Sequence, residues 1–147
     1  MQYTAADKPQ LLKTSQAQLD ALFTGGESGP IPDGPGAGTA IIAPGTIFTL
    51  GIAEFINLFA WQGKTFDAQR GFLRNRILPF GLNAIVAEVY KGTSRFDQKE
   101  CTVLDYSKTS TLAHWVRDEI RLIGPKFYLG KAYWGRRALI HFSLEFQ

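Results

Sequence analysis

At 147 residues the chain is long enough to bury most of its apolar surface as one domain. Its net charge of +3 is spread along the chain, which excludes the clustered basic face of a nucleic-acid binder. A single cysteine, Cys101, excludes an internal disulfide. Together with an N-terminus that lacks the apolar core of a signal peptide, it points to the cytoplasm.

Residues 1–13 read as a loose arm. A first helix is expected over residues 15–23, capped by Thr14 or Ser15, with Leu19, Leu22 and Phe23 on one face and Gly25 as its stop. Residues 25–38 (GGESGPIPDGPGAG) form a turn-rich connector. The 24 residues before it cannot make a core of their own, so residues 1–37 are read as a lead-in to the same domain. A short strand follows at 38–43. Over 46–62 the period becomes helical, with Ile47, Leu50, Phe55, Leu58, Phe59 and Trp61 on a broad apolar side. Glu54 and Asn57 interrupt its apolar run, and no run reaches the ~18 residues of a membrane span. Its polar face lacks the Lys and Arg of a membrane-surface helix, so it is expected to plug or flank a barrel.

From residue 64 to the end the pattern is β. Residues 64–67 and 72–78 make a hairpin. Strands follow at 84–91, 99–107, 115–123, 126–134 and 138–146, cut by turns at 79–83, 92–98, Gly124–Pro125 and Gly135–Arg137. Seven to nine short antiparallel strands with brief connections predict a mainly β, up-and-down barrel that leaves no exposed edge.

These elements resemble the calycin (lipocalin-like) architecture. LDALF (19–23), AWQGKTF (60–66), RDEIR (117–121), YLG (128–130) and FSLEF (142–146) are similar to an uncharacterised bacterial group of GXWXG-type domain proteins. The entry at 36–41 reads GAGTAI, without the Trp of either signature. The resemblance implies a small-molecule-binding barrel and supplies no catalytic residues.

Strand alternation sorts the candidate chemistry into faces. On 99–107, Thr102, Leu104 and Tyr106 oppose Cys101, Val103 and Asp105. On 115–123, Asp118 shares a face with Val116, Ile120 and Leu122, where a carboxylate is costly unless paired. Asp118, and with it Asp105, is either a cavity acid suited to proton transfer or a structural residue. In the latter case Asp118 faces solvent or pairs with Arg74 or Arg76. Arg117, Glu119 and Arg121 alternate on the opposite face, which reads as a solvated charge ladder or, with Arg117 inside, as a grip on a ligand carboxylate. His141 alternates with Leu139 and Ser143 on the less apolar face of its strand, and reads as a surface or half-buried histidine. His114, His141 and Cys101 show no ligand spacing for a metal, and no phosphate-cradling glycine motif is present; neither metal nor cofactor is expected.

Aromatic residues make up 13% of the chain and can line a cavity for an apolar ligand. The first functional reading is binding of a small hydrophobic or amphipathic molecule, oriented by Trp61, Tyr106, Arg117, Asp118, Tyr128 and His141. The second is a cofactor-independent enzyme, of isomerase, cyclase or lyase type, with Asp118 or His141 as general acid/base. The third is a protein-interaction module, and oligomer formation is compatible with each.

Overall fold

Alternation along the C-terminal two-thirds of the chain closes into a barrel. In the computed structural model, eight antiparallel strands pair in sequence order and the last returns to the first. The structure describes residues 3–4, 7–41, 64–77, 82–108 and 115–147. The apolar helix expected at 46–62, with Trp61, lies outside them, as does His114. The helices are α1 (Lys8–Leu11) and α2 (Gln16–Gly25). The strands are β1 (Gly34–Ile41), β2 (Lys64–Asp67), β3 (Phe72–Ile77), β4 (Leu82–Thr93), β5 (Glu100–Asp105), β6 (Val116–Gly124), β7 (Phe127–Trp134) and β8 (Arg137–Phe146). Among the described residues no helix is long and apolar enough to cross a membrane.

The β1–β8 pairing that closes the barrel runs from Gly36 opposite Phe146 to Ile41 opposite His141. β1 therefore starts four residues earlier than the sequence indicates, inside the glycine-rich stretch. The reason is steric. A Cβ on Gly36 would lie 2.6 Å from the Phe146 ring, so this strand can cross Phe146 only as glycine. Phe146 in turn packs edge-on against Phe66 and Tyr128, at 5.5 and 5.6 Å between centroids. The same device recurs at Gly130, where a side chain would collide with the Phe142 ring.

Register assigns the inner face. Leu104 pairs with Asp118, Thr102 with Ile120, and Asp118 with Ala132. The interior is filled by Phe66, Leu73, Ala87, Val89, Leu104, Tyr106, Val116, Ile120, Tyr128, Ile140, Phe142 and Leu144. A second apolar cluster lies outside the barrel, where Leu11, Leu19 and Phe23 of the helices cover Ile41, Ile123, Phe127 and Leu129. α2 begins at a capping box: Ser15 Oγ accepts from the Gln18 amide and the Gln18 side chain accepts from the Ser15 amide, as polar groups at a helix start require.

Between α2 and β1 the connector crosses one end of the barrel as a strap. Glu27 and Leu122 exchange both backbone hydrogen bonds, at 3.0 and 2.7 Å. Lys91 donates to Ser28 Oγ (2.6 Å) and to the Gly29 carbonyl, and Tyr128 donates to the Pro30 carbonyl (2.8 Å). Ile31 packs onto the interior cluster. This end of the barrel is closed by its own chain.

Arg121 holds helix, turn and strand together. Its Nε donates to the Glu100 carbonyl, Nη1 to the Phe23 carbonyl and Asp97, and Nη2 to Asp97 and the Lys99 carbonyl. These five contacts match the five N–H donors of a guanidinium. Replacing Arg121 by Met is expected to destabilise the fold by about 3 kcal/mol, because it strands Asp97 and removes a donor from three carbonyls, and to lower Tm by on the order of 10 °C. Thermal unfolding followed by circular dichroism checks this; a shift of a degree or two would show that the network is dispensable.

Candidate functional site

The inner face carries one charged cluster. β2 places Lys64 at its first residue, β5 leads into Tyr106, and β6 supplies Asp118 between Val116 and Ile120. Lys64 Nζ donates to Tyr106 Oη at 2.9 Å and lies 3.5 Å from Asp118 Oδ2. Lys64 and Asp118 are only 3% and 1% exposed, and Tyr106 is fully buried. The ammonium also stands 5.6 Å from the Tyr106 ring centroid and 5.7 Å from that of Phe142, within cation–π reach. Asp118 Oδ1 and Thr102 Oγ1 are buried and have no hydrogen-bond partner. An unmet acceptor in an apolar interior is costly.

Burial dominates the electrostatics. It pushes the Asp118 carboxyl up to about 6, against the pull of Lys64. It lowers the Lys64 amine, against the pull of Asp118. Both shifts favour the neutral members of the pair, as expected for charges taken out of water. The site thus holds an acid and an amine whose charged forms are both disfavoured by burial.

A second buried cluster lies on the outer face, under α2 and the β4–β5 turn. Asp20 of α2 accepts from Lys131 (2.5 Å) and lies 3.2 Å from His141 Nε2. Lys131 Nζ sits 4.0 Å from the Phe96 ring centroid. Glu119 accepts from Ser94 Oγ (2.7 Å), the Arg95 amide (2.8 Å) and Arg117 Nε (3.1 Å). Burial, then the charge of Lys131, hold His141 down near 4, so it is neutral at pH 7.

The sequence-derived candidates divide accordingly. Tyr106 and Asp118 meet in the interior, and Tyr128 is inside at the strapped end. Arg117 and His141 belong to the outer cluster, and Trp61 lies outside the described residues. Three structural expectations are corrected. The Arg117–Glu119–Arg121 ladder is not solvated, since Glu119 and Arg121 are 0% and 1% exposed. His141 is neither on the surface nor half-buried, because α2 covers it. Asp118 does not face solvent, and among the described residues its ion-pair partner is Lys64, not Arg74; the Arg76 side chain lies outside them. Sequence reasoning missed Lys64, whose only signal was a lysine opening a strand with Phe66 two residues on. Asp105 is on the outer face, accepting from Tyr90 Oη at 2.7 Å.

Two hollows open on the outside. One of about 550 Å³ lies between Tyr3, the end of α2 and the β6–β7 turn. The other, about 770 Å³, is lined by Asp33, Gly34, β2 and β3, with Val86. Neither includes Lys64, Tyr106 or Asp118, so the titratable chemistry lies in the interior and not in these hollows. Among the described residues no cluster of three His, Cys, Asp or Glu side chains could hold a metal ion.

No family model matches the chain, and no curated protein matches it. Among solved structures, a protein from Thermomonospora curvata is similar at 16% identity and a TM-score of 0.67, over 97% of this chain and 95% of that one. The likeness is one of fold.

Asp118 sets a pH dependence whose sign follows from its shift. Its folded value near 6 lies above the ordinary value of about 4, so the stabilisation is full below about 4 and is lost as pH rises through about 6. The Asp118 carboxyl carbon is expected to titrate near 6 in an NMR series. Urea unfolding of the wild type should lose stability over that window, relative to a Lys64→Met/Asp118→Leu double variant. An Asp118 midpoint near 4 would contradict the burial argument.

Proposed function

We propose that the barrel binds a small, largely apolar molecule in its interior, with Tyr106, Asp118 and Lys64 fixing its polar end. The observation that carries this reading is the Lys64–Tyr106–Asp118 cluster, set among apolar side chains with one carboxylate oxygen left without a partner. Ligand sites of this kind are apolar walls with a few convergent polar groups, and a ligand hydroxyl or amine would meet the unmet acceptor. The closed eight-stranded up-and-down barrel supports a calycin-like reading, as does the strap across one of its ends. Cys101, buried and pushed up to about 12, fits a reducing compartment, since such a thiol is inert.

A second reading, cofactor-independent catalysis in the same interior, is favoured by the Asp118 carboxyl near 6. An acid in that range is suited to proton transfer at neutral pH.

Binding of an apolar fluorescent alcohol, 6-methoxy-2-naphthalenemethanol, tests the first reading. Saturable binding to the wild type is expected, weakened about tenfold, or 1.4 kcal/mol, in Asp118→Asn. Arg74→Gln, a change on the exposed outer face, is expected to bind as the wild type does. Equal weakening in both variants, or no saturable binding, would overturn the assignment.

A further inference from the structure

We propose that Lys64 forms an imine with the carbonyl carbon of an apolar aldehyde or ketone held in the barrel, with Asp118 carrying the protons and Tyr106 holding the amine in place. This rests on the interior-binding reading and names the ligand class it would take.

Three observations converge on it. The first is the residue itself. Lysine is the one basic side chain whose primary amine can condense with a carbonyl, and a desolvated lysine is the form in which it becomes nucleophilic. Lys64 is buried in the barrel wall against Tyr106 and Phe142. The second is its partner. Asp118 Oδ2 stands 3.5 Å from Nζ, while Oδ1 has no hydrogen bond. One carboxyl oxygen thus addresses the amine and the other is free to exchange a proton with a bound molecule. The third is Thr102 Oγ1, a buried hydroxyl without a partner, on the same inner face one residue pair from Asp118. It can hydrogen-bond a carbonyl or carbinolamine oxygen.

The step balances without any further reactant. The ammonium of Lys64 passes one proton to Asp118, leaving a neutral amine. Its lone pair attacks the carbonyl carbon; the C–N bond forms as the carbonyl π bond breaks, and the oxygen takes the proton from Asp118. A second proton leaves nitrogen for Asp118 and is delivered to the carbinolamine hydroxyl, which departs as water while the C=N bond forms. The net change is ammonium plus carbonyl to protonated imine plus water. Asp118 ends as a carboxylate beside a cation, so the ion pair that the interior holds before the reaction is present after it. No redox partner or metal is required. The first and third transfers run between Lys64 Nζ and Asp118 Oδ2, which stand 3.5 Å apart, and burial raises the Asp118 carboxyl and lowers the Lys64 amine, the directions these transfers need.

Borohydride trapping tests this on the intact chain. The protein is incubated with 6-methoxy-2-naphthaldehyde, reduced with sodium borohydride and digested for mass spectrometry. The expected result is a borohydride-dependent adduct at Lys64, formed faster than at any exposed lysine, since burial lowers the Lys64 amine and so leaves more of it neutral. Asp118→Asn should slow that labelling at least about tenfold, by removing the proton carrier. Lys64→Arg and Lys64→Met, each checked for folding by circular dichroism, should lose the site. Adducts distributed over surface lysines at comparable rates, or none at Lys64, would overturn the proposal even if both variants failed to fold. The alcohol of the same ring system separates the two readings. Saturable binding of the alcohol without a Lys64 adduct overturns the imine and leaves the binding site standing. Failure of both removes the site as well.

Discussion

Arg121 is the constraint from which the outer architecture follows. A guanidinium buried at 1% exposure must satisfy a charge and five donors, and only one arrangement here does so. The β4–β5 turn must bring Asp97 and the Lys99 and Glu100 carbonyls to one side, and α2 must end with the Phe23 carbonyl on the other. That placement also lays the Phe23 ring 4.5 Å from the guanidinium carbon. Once α2 is held there, Asp20 meets Lys131 and His141 in the next layer, and Leu19 and Phe23 cover Leu129 and Phe127. Asp97, pulled down to about 2 chiefly by its hydrogen bonds to Arg121, keeps its charge over the whole physiological range. The network is therefore insensitive to ordinary changes of pH.

The molecule carries two buried charge systems built on opposite principles. In the outer one most charges have partners: Glu119 accepts three hydrogen bonds and Arg121 makes five. Two of its buried atoms, His141 Nδ1 and Ser143 Oγ, are unmet. Such a network rigidifies what it joins. The inner one holds an unmet acceptor. Lys64 and Asp118 stand 3.5 Å apart, a loose pairing, and Asp118 Oδ1 is left over. Satisfied charges fix a structure, and unsatisfied ones leave capacity for something else.

Much of this was legible in the sequence. Period-two alternation from Lys64 onward gave the later strands to within a few residues, and parity put Asp118 on an aliphatic face that became the interior. Ser15 marked the start of α2. The misreadings share one cause, which is that a strand's polar face was equated with solvent. α2 covers part of the outside of the barrel, so His141 and Arg121 are polar, outward and buried at once. Alternation separates two faces but does not say what lies over each. Lys64 escaped for a different reason. Its partner is 54 positions away in the chain, and the two converge only when barrel closure brings β2 and β6 across a shared interior. Gly34–Gly36 was hidden by its glycines, which sequence reasoning assigns to turns, although the Phe146 ring requires a glycine at position 36 of the strand.

Stability gives no reason for the inner cluster. Replacing a buried ion pair by apolar residues of similar volume is often neutral or stabilising, and the positions that flank or pair with Asp118 on the inner face are apolar: Val116, Ile120, Leu104 and Ala132. The barrel's packing, its strap and its helix are accounted for by the aromatic interior and the Arg121 network without recourse to Lys64 or Asp118. Register gives no reason either, because strand pairing is already set by the β-bulges in β6–β7 and β7–β8 and by glycines that admit only Phe142 and Phe146. A lysine, a tyrosine hydroxyl and a carboxyl group brought together in such an interior have in common the ability to hold or exchange a proton. That shared property, and not the energetics of folding, is what their convergence supplies.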